Sequence, residues 1–252
     1  MLKQLPVLLL GLLCLPLARA QAGLRVAAAA DLQPVLPPIF EQFRQATGIR
    51  AEASYEASAM LTAQIQNGAP FDIFLAADLG YPKRLVDAGL AVSSAPIPYA
   101  RGTLVLWTRK DSNLPPPSLG LLRNPALKRL AIANPERAPY GRAAVAALTS
   151  LGLYEALKPR IATAENIGQA AQFVDSGNAD AGLISLTSAL TPRLAASGSY
   201  FVLPRNLYPP IEQGAVLLRH ASQPAAARRF LDFLLSAPAQ AQLARSGLTP
   251  VN

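Results

Sequence analysis

Residues 24–48 read LRVAAAADLQPVLPPIFEQFRQATG and carry two periods in succession. Residues 24–30 are apolar apart from Arg25, the pattern of a short buried strand. Ile39, Phe40 and Phe43 then recur at helical spacing, and Gly48 marks a stop. The same order follows downstream. Residues 49–55 alternate as a strand, and residues 60–67 are helical, with Leu61 and Ile65 four apart and Gly68 closing them. Residues 71–75 read as a strand, 82–88 as a helix before Gly89, and 103–108 as another strand. Strands alternating with helices predict parallel sheets flanked by helices.

The second half repeats this grammar with different loops. Strands are expected at 129–133, 159–163, 181–185, 200–204 and 214–219, and helices at 141–150, 166–176, 224–235 and 238–245. Turn-rich Asn206-Leu207-Tyr208-Pro209-Pro210 separates the last two strands. The pattern predicts an α/β protein of two lobes, each a mostly parallel sheet flanked by helices. Crossings are expected near residues 99–102 and 208–210. Residues 21–100 and 209–252 would then form one lobe and 101–208 the other. Ligands of such sheets bind outside the carboxyl ends of the strands, which places a ligand in the cleft between the lobes.

The 252 residues are 51% hydrophobic and 15% charged, a composition that excludes disorder of the whole chain. The apolar excess gathers at the start. Residues 2–17 hold nine leucines and one valine with Lys3 as the single charge, and Ala18-Arg19-Ala20 offers a small-x-small cleavage site. This reads as a signal peptide over residues 1–20, too short and too broken by Pro6 and Pro16 to span a bilayer. The expected product is periplasmic, with no membrane insertion after cleavage. Losing Lys3 and Arg19 lowers the net charge from +8 to +6. The only cysteine, Cys14, leaves as well; lipid attachment there would call for a small residue before it, and Leu13 is large. A mature chain without thiols has no disulfide, cysteine nucleophile or thiolate metal site. Its basic residues are scattered and not interleaved with aromatics, so nucleic-acid binding is unsupported.

Catalysis is hard to assemble from these residues. His220 is the only histidine and has no local serine or acid arranged as a triad. GxSxG, P-loop and dinucleotide fingerprints are absent, as are His or Cys clusters with metal spacing. No cofactor is expected. What the chain offers instead is four places where a strand or loop runs into a helix N-terminus: Ala29-Ala30-Asp31, Ala57-Ser58-Ala59, Pro139-Tyr140-Gly141 and Asn166-Ile167-Gly168. Each exposes free backbone N–H groups and the positive end of a helix dipole, which bind anions without a cation. Taken singly, these are also ordinary caps and turns.

Together, several segments resemble the molybdate-binding proteins of bacterial ABC importers. They are Val26-Ala27-Ala28-Ala29-Ala30-Asp31-Leu32, Ser58 with Asn67-Gly68-Ala69-Pro70, Phe74-Leu75-Ala76-Ala77-Asp78, Ala131-Ile132-Ala133-Asn134-Pro135 with Ala138-Pro139-Tyr140-Gly141, and Asn166-Ile167-Gly168-Gln169-Ala170. The resemblance implies a type II periplasmic binding fold whose lobes close over one tetrahedral oxyanion, molybdate or tungstate, and hand it to an inner-membrane ABC permease. A monomer is expected. The contacts it implies are Ala30, Asp31, Ser58, Tyr140 and Ile167, with Ala30, Tyr140 and Ile167 acting through backbone N–H. Ser185 falls where some relatives carry a tyrosine hydroxyl.

Asp31 departs from that pattern, because relatives commonly place Ser or Asn there and an ionised aspartate only accepts. A carboxylate about 4 Å from a unit negative charge costs about 4 kcal/mol at an effective dielectric near 20, and about twice that against a dianion. Three escapes exist: the side chain caps its own helix, it is protonated and donates, or the ligand is not a dianion. The cap is the expected one, although Pro34, Pro37 and Pro38 remove donors from that helix. Two other readings are a ferric-ion receptor with Asp31 and Tyr140 as hard oxygen ligands, and a secreted hydrolase using Asp31 or Glu136 as acid or base.

Overall fold

The computed structural model describes residues 23–251; the signal-peptide reading therefore falls outside the described residues. The chain opens with β1 (Leu24–Ala29), α1 (Leu36–Thr47), β2 (Ala51–Glu56), α2 (Ser58–Gln66), β3 (Ile73–Ala76), α3 (Gly80–Asp87) and β4 (Ile97–Gly102). A second run follows: β5 (Leu104–Arg109), β6 (Leu130–Ala133), α4 (Pro139–Ser150), α5 (Tyr154–Leu157), β7 (Ile161–Ala164) and α6 (Ile167–Asp175). It continues through β8 (Ala181–Ser185), α7 (Leu186–Ala189), α8 (Pro192–Ser197) and β9 (Gly198–Val202). The chain ends with β10 (Ile211–Leu217), α9 (Pro224–Leu234), α10 (Ala237–Arg245) and β11 (Thr249–Pro250).

These strands form two sheets, ordered β11-β4-β10-β3-β1-β2 and β7-β6-β8-β5-β9. In the first, β1 pairs in parallel with β2 and β3, as strand-helix-strand connections require. β10, arriving from the other lobe, runs antiparallel to both β3 and β4. In the second, β6 pairs in parallel with β7 and β8, while β5 runs against β8 and β9. Four of the six strands of the first sheet and four of the five of the second therefore run in one direction, with β10, β11 and β5 running against them. β4 is a strand that the apolar pattern did not reveal, since Pro98 and Arg101 interrupt it. It keeps Arg101 and Gly102 on the first sheet, so the crossing falls at Thr103 rather than after Ala100.

The near-continuous apolar run of β1 follows from burial on both faces. Leu24, Val26 and Ala28 pack with Ile39 and Phe43 of α1 and Phe230 of α9, while Ala27 packs with Leu61, Phe74 and Leu85 beneath α2 and α3. Phe43 and Phe230 meet edge to face, with ring centroids 5.2 Å apart. The second lobe is built around fully buried Trp107, Leu106, Leu130 and Ile184. Its core reaches across the cleft to Ala29, Ala30 and Ala77 of the first lobe.

Prolines set the start of α1. A single 3-10 turn, Ala30–Leu32, follows β1, and the regular helix waits until Leu36, with a proline in its first turn. Asp31 consequently lies inside the turn rather than before a helix. Glycine is required at residue 141, where α4 meets the end of β6: a Cβ there would overlap the Ala133 carbonyl oxygen and come within 2.8 Å of the Asn134 carbonyl. These are backbone atoms that cannot rotate away. Gly141→Ala is therefore expected to lower stability by about 1–3 kcal/mol or to prevent folding, read by urea unfolding; an unchanged midpoint would contradict this close approach.

Candidate functional site

The carboxyl ends of β1, β2 and β3 face those of β6 and β7 across the cleft, and each leads into a helical turn. The result is a small, partly open pocket of about 10 Å³ between the lobes. The first lobe lines it with Ala29, Ala30 and Asp31 after β1, Glu56, Ala57 and Ser58 at the start of α2, and Ala77 after β3. The second lobe adds Ala138, Pro139 and Tyr140 at the start of α4 and Asn166 and Ile167 at the start of α6. Five of the six residues expected at the site, Ala30, Asp31, Ser58, Tyr140 and Ile167, are brought together. Among the described residues lining the cavity there is no Lys, Arg or His.

The local sequence explains each donor. Pro139 occupies the first turn of α4, where its missing N–H costs nothing, and leaves Tyr140 N–H among the free first-turn donors. Asn166 caps α6 by accepting from Gln169 N–H at 2.9 Å. Ile167 N–H follows it at the free end of that helix. Ser58 opens α2 and is buried; its Oγ accepts from Ala77 N–H at 3.1 Å, so its hydroxyl proton remains to be donated.

Asp31 does not cap its helix. Its side chain is fully buried, and Oδ2 accepts from Tyr140 Oη of the second lobe at 3.0 Å and from Gln213 Nε2 of β10 in its own lobe. Oδ1 has no hydrogen-bond partner. Placement inside the 3-10 turn, with no helix beginning at residue 32, overturns the expected cap. Burial raises the Asp31 carboxyl from an ordinary 3.8 to about 6, against smaller opposing effects from Gln213, Tyr140 and its own backbone N–H. Burial likewise pushes the Tyr140 and Tyr99 hydroxyls well up, and the nearby Asp31 charge adds to this. Tyr140, expected to act through its backbone alone, thus also contributes its side chain, as the interlobe tie to Asp31.

Ser185 is not brought to the cavity. It caps α7, accepting from Ser188 N–H at 3.2 Å, and lies 2.9 Å from Thr187 Oγ1. Thr187 in turn donates to the Asp31 carbonyl at 2.8 Å, so Ser185 sits behind the site. Glu136 also lies off the cavity; its carbonyl accepts from Tyr81 Oη at 3.2 Å.

Glu56 and Gln213 join this junction without a local signal in the chain, whereas Asn166 belongs to a helix start already singled out. Asn166 Nδ2 donates to Glu56 Oε2 at 3.3 Å, another tie between lobes, and Gln213 arrives from 182 residues away. Further ties ring the cavity. Ala59 N–H donates to the Arg137 carbonyl at 3.2 Å, and Arg142 pairs with Asp78 while stacking over Tyr81 at 5.4 Å. The lobes are closed on one another.

Two lobes of this topology, hinged by crossing strands with an anion-suited cavity at the carboxyl ends, define a solute-binding protein. Residues 24–249 match the bacterial extracellular solute-binding proteins, and the chain belongs to that family. It is similar over nearly its whole length to molybdate-binding protein ModA of Azotobacter vinelandii, at 40% identity over 228 residues and 90% of each chain. The ModA of Rhodobacter capsulatus is 38% identical over 216 residues, covering 85% of this chain and 84% of that one. The solved periplasmic molybdate-binding protein of Azotobacter vinelandii superposes with a TM-score of 0.85 at 33% identity, over 91% of this chain and all 100% of the other.

Because the folded carboxyl of Asp31 binds its proton more tightly than the unfolded one, its contribution favours folding at low pH. That contribution is lost as pH rises from 3.8 to about 6. Above that window the ionised group costs about 3 kcal/mol. Asp31→Asn is expected to be more stable than the parent at pH 8 by up to that amount, with the advantage vanishing toward pH 4. Urea unfolding at both pH values checks it, and an equal difference at both would refute it.

Proposed function

We propose that this chain is the periplasmic receptor of an ABC importer, capturing molybdate or tungstate between its lobes and presenting it to an inner-membrane permease. One observation carries the reading. The starts of α2, α4 and α6 and the turn after β1, drawn from both lobes, meet at a single small cavity with no cationic side chain. Neutral backbone donors and the Ser58 hydroxyl suit a tetrahedral oxyanion there, and the helix dipoles favour its charge. Donors from both lobes bind more tightly in the shut state than in an open one, which is what drives closure. Molybdate, tungstate and sulfate present the same four oxygens and the same charge, so cavity size must take part in telling them apart. The relatives named above are molybdate-binding proteins, which supports the choice of ligand.

The ferric reading finds little support. Tyr140 Oη is spent on Asp31, and the described residues include no group of three His, Cys, Asp or Glu placed to hold a metal ion. A hydrolytic reading finds no support at Glu136, which lies off the cavity.

Thermal melts test the proposal. Molybdate and tungstate at micromolar levels are expected to raise the melting temperature by mass action, and sulfate at the same level is not. An equal response to sulfate would defeat discrimination by size, and a response to Fe(III) alone would overturn the oxyanion reading. Ser58→Ala is expected to weaken molybdate binding by roughly 1–3 kcal/mol, measured by calorimetry, as for loss of a donor to a charged acceptor. Unchanged affinity would remove Ser58 from the site.

A further inference from the structure

Asp31 and the oxyanion have incompatible needs unless something is added between them. Of the carboxyl's two oxygens, Oδ2 is occupied by Tyr140 and Gln213, while Oδ1 is buried with no hydrogen-bond partner on a residue that lines the cavity. An ionised oxygen in that position lacks a donor, and an incoming oxyanion brings only acceptors. A proton on Oδ1 resolves both at once, giving the carboxyl a partner and the anion a donor.

The surrounding groups supply no alternative. Tyr140 on α4 and Tyr99 on β4 face Asp31 as neutral phenols held in that form by burial, and Tyr208 stands beyond Tyr140. Gln213 on β10 and Thr187 on α7 are uncharged, and Glu56 at the end of β2 is engaged by Asn166. No cation among the described cavity residues offsets the Asp31 charge.

Building on the oxyanion reading above, we propose that the site takes up its anion together with one proton from solvent, held between Asp31 Oδ1 and a ligand oxygen. The shared proton is a specificity element: it favours more basic tetrahedral oxyanions over sulfate, a weaker base of equal charge. Bond by bond, one O–H forms at the carboxylate, one proton leaves solution, and the dianion enters unchanged. Burial already holds the Asp31 carboxyl at about 6, and a dianion beside it drives that value higher. Proton uptake is therefore small at pH 5 and approaches one per site above pH 7.

Calorimetric titration with molybdate in two buffers of different ionisation enthalpy, from pH 5 to 8.5, tests this. For the parent protein we expect uptake of about one proton at pH 8. Kd should be flat at the acid end and rise by up to about tenfold per pH unit above pH 6.5. Asp31→Asn, which keeps the shape and has an N–H to donate, should bind without proton uptake and with no such slope, and should lose part of its preference over sulfate. Glu56→Gln should keep the slope. Molybdate binding to the parent with no proton uptake would overturn the shared proton and leave the proposed function standing. Absence of molybdate binding at every pH by folded protein would instead overturn the function itself. A slope that survives in Asp31→Asn would assign the proton elsewhere, and because uptake is measured on the parent, failure of a variant to fold does not remove the test.

Discussion

A buried carboxylate at the mouth of three helix dipoles is the constraint around which the lobe junction is arranged. Helix N-termini make the cavity favourable to negative charge, and Asp31 makes it unfavourable. Two unit charges about 4 Å apart at an effective dielectric near 20 interact by about 4 kcal/mol, several times the 0.3–1 kcal/mol usual for one exposed helix end. The carboxylate would therefore dominate if it were ionised and unscreened. Its burial answers this by moving its titration toward neutrality, and the ring of uncharged phenols around it adds no negative charge.

The same side chain is also mechanical. Tyr140 comes from the second lobe and Asp31 from the first, so their hydrogen bond exists only when the lobes are together. Thr187, also from the second lobe, holds the Asp31 carbonyl, and Asn166 reaches Glu56. These polar ties lie beside apolar contact between Ala29, Ala30 and Ala77 and the core of the second lobe. Closure is thus a packing event reinforced by hydrogen bonds, of which those to Asp31 are fully buried, where each bond is stronger than at an exposed rim and each orphaned partner is more costly. The partly exposed interlobe pair at the rim, Arg142 with Asp78, contributes less.

Much of this was legible in the chain because its signals are local. Apolar runs such as Ile73–Ala76 and Ala181–Ser185 are strands covered on both faces, and helix stops at Gly48, Gly89 and Gly247 are backbone requirements written in one residue. The four strand-to-helix junctions were visible for the same reason, and their meeting point followed from the rule that sheets of this kind present the carboxyl ends of their strands to the ligand. The orientation of Asp31 was not legible. Asp before a helical stretch is ordinarily a cap, and only the 3-10 turn imposed by Pro34, Pro37 and Pro38 withdraws the helix it would have capped. Gln213, Thr187 and Glu56 belong to the site through pairings across more than a hundred residues, which no local period encodes. β4 was hidden because the residues that interrupt its apolar pattern, Pro98 and Arg101, sit in a strand bordered by short β11 at the sheet edge.

The hinge and the site are also one structure rather than two. β4 ends at Gly102, where a Cβ would overlap the Tyr140 hydroxyl, so the absence of a side chain at the crossing is what lets that ring approach. One residue beyond the crossing, Leu104 N–H donates to Tyr208 Oη at 3.2 Å, fixing the second crossing segment against the first. Gln213, the other donor to Asp31, lies on β10 opposite Ala100 of β4, at the irregularity where the pairing shifts register. Both groups that hold Asp31 are therefore positioned by the strands that join the lobes. A change in the angle between lobes displaces Tyr140 relative to Asp31, while Gln213 stays with Asp31 in the first lobe, so one of the two side-chain hydrogen bonds that oppose its protonation depends on closure. Proton affinity, anion affinity and the degree of closure are in this way properties of a single polar cluster seated on the hinge.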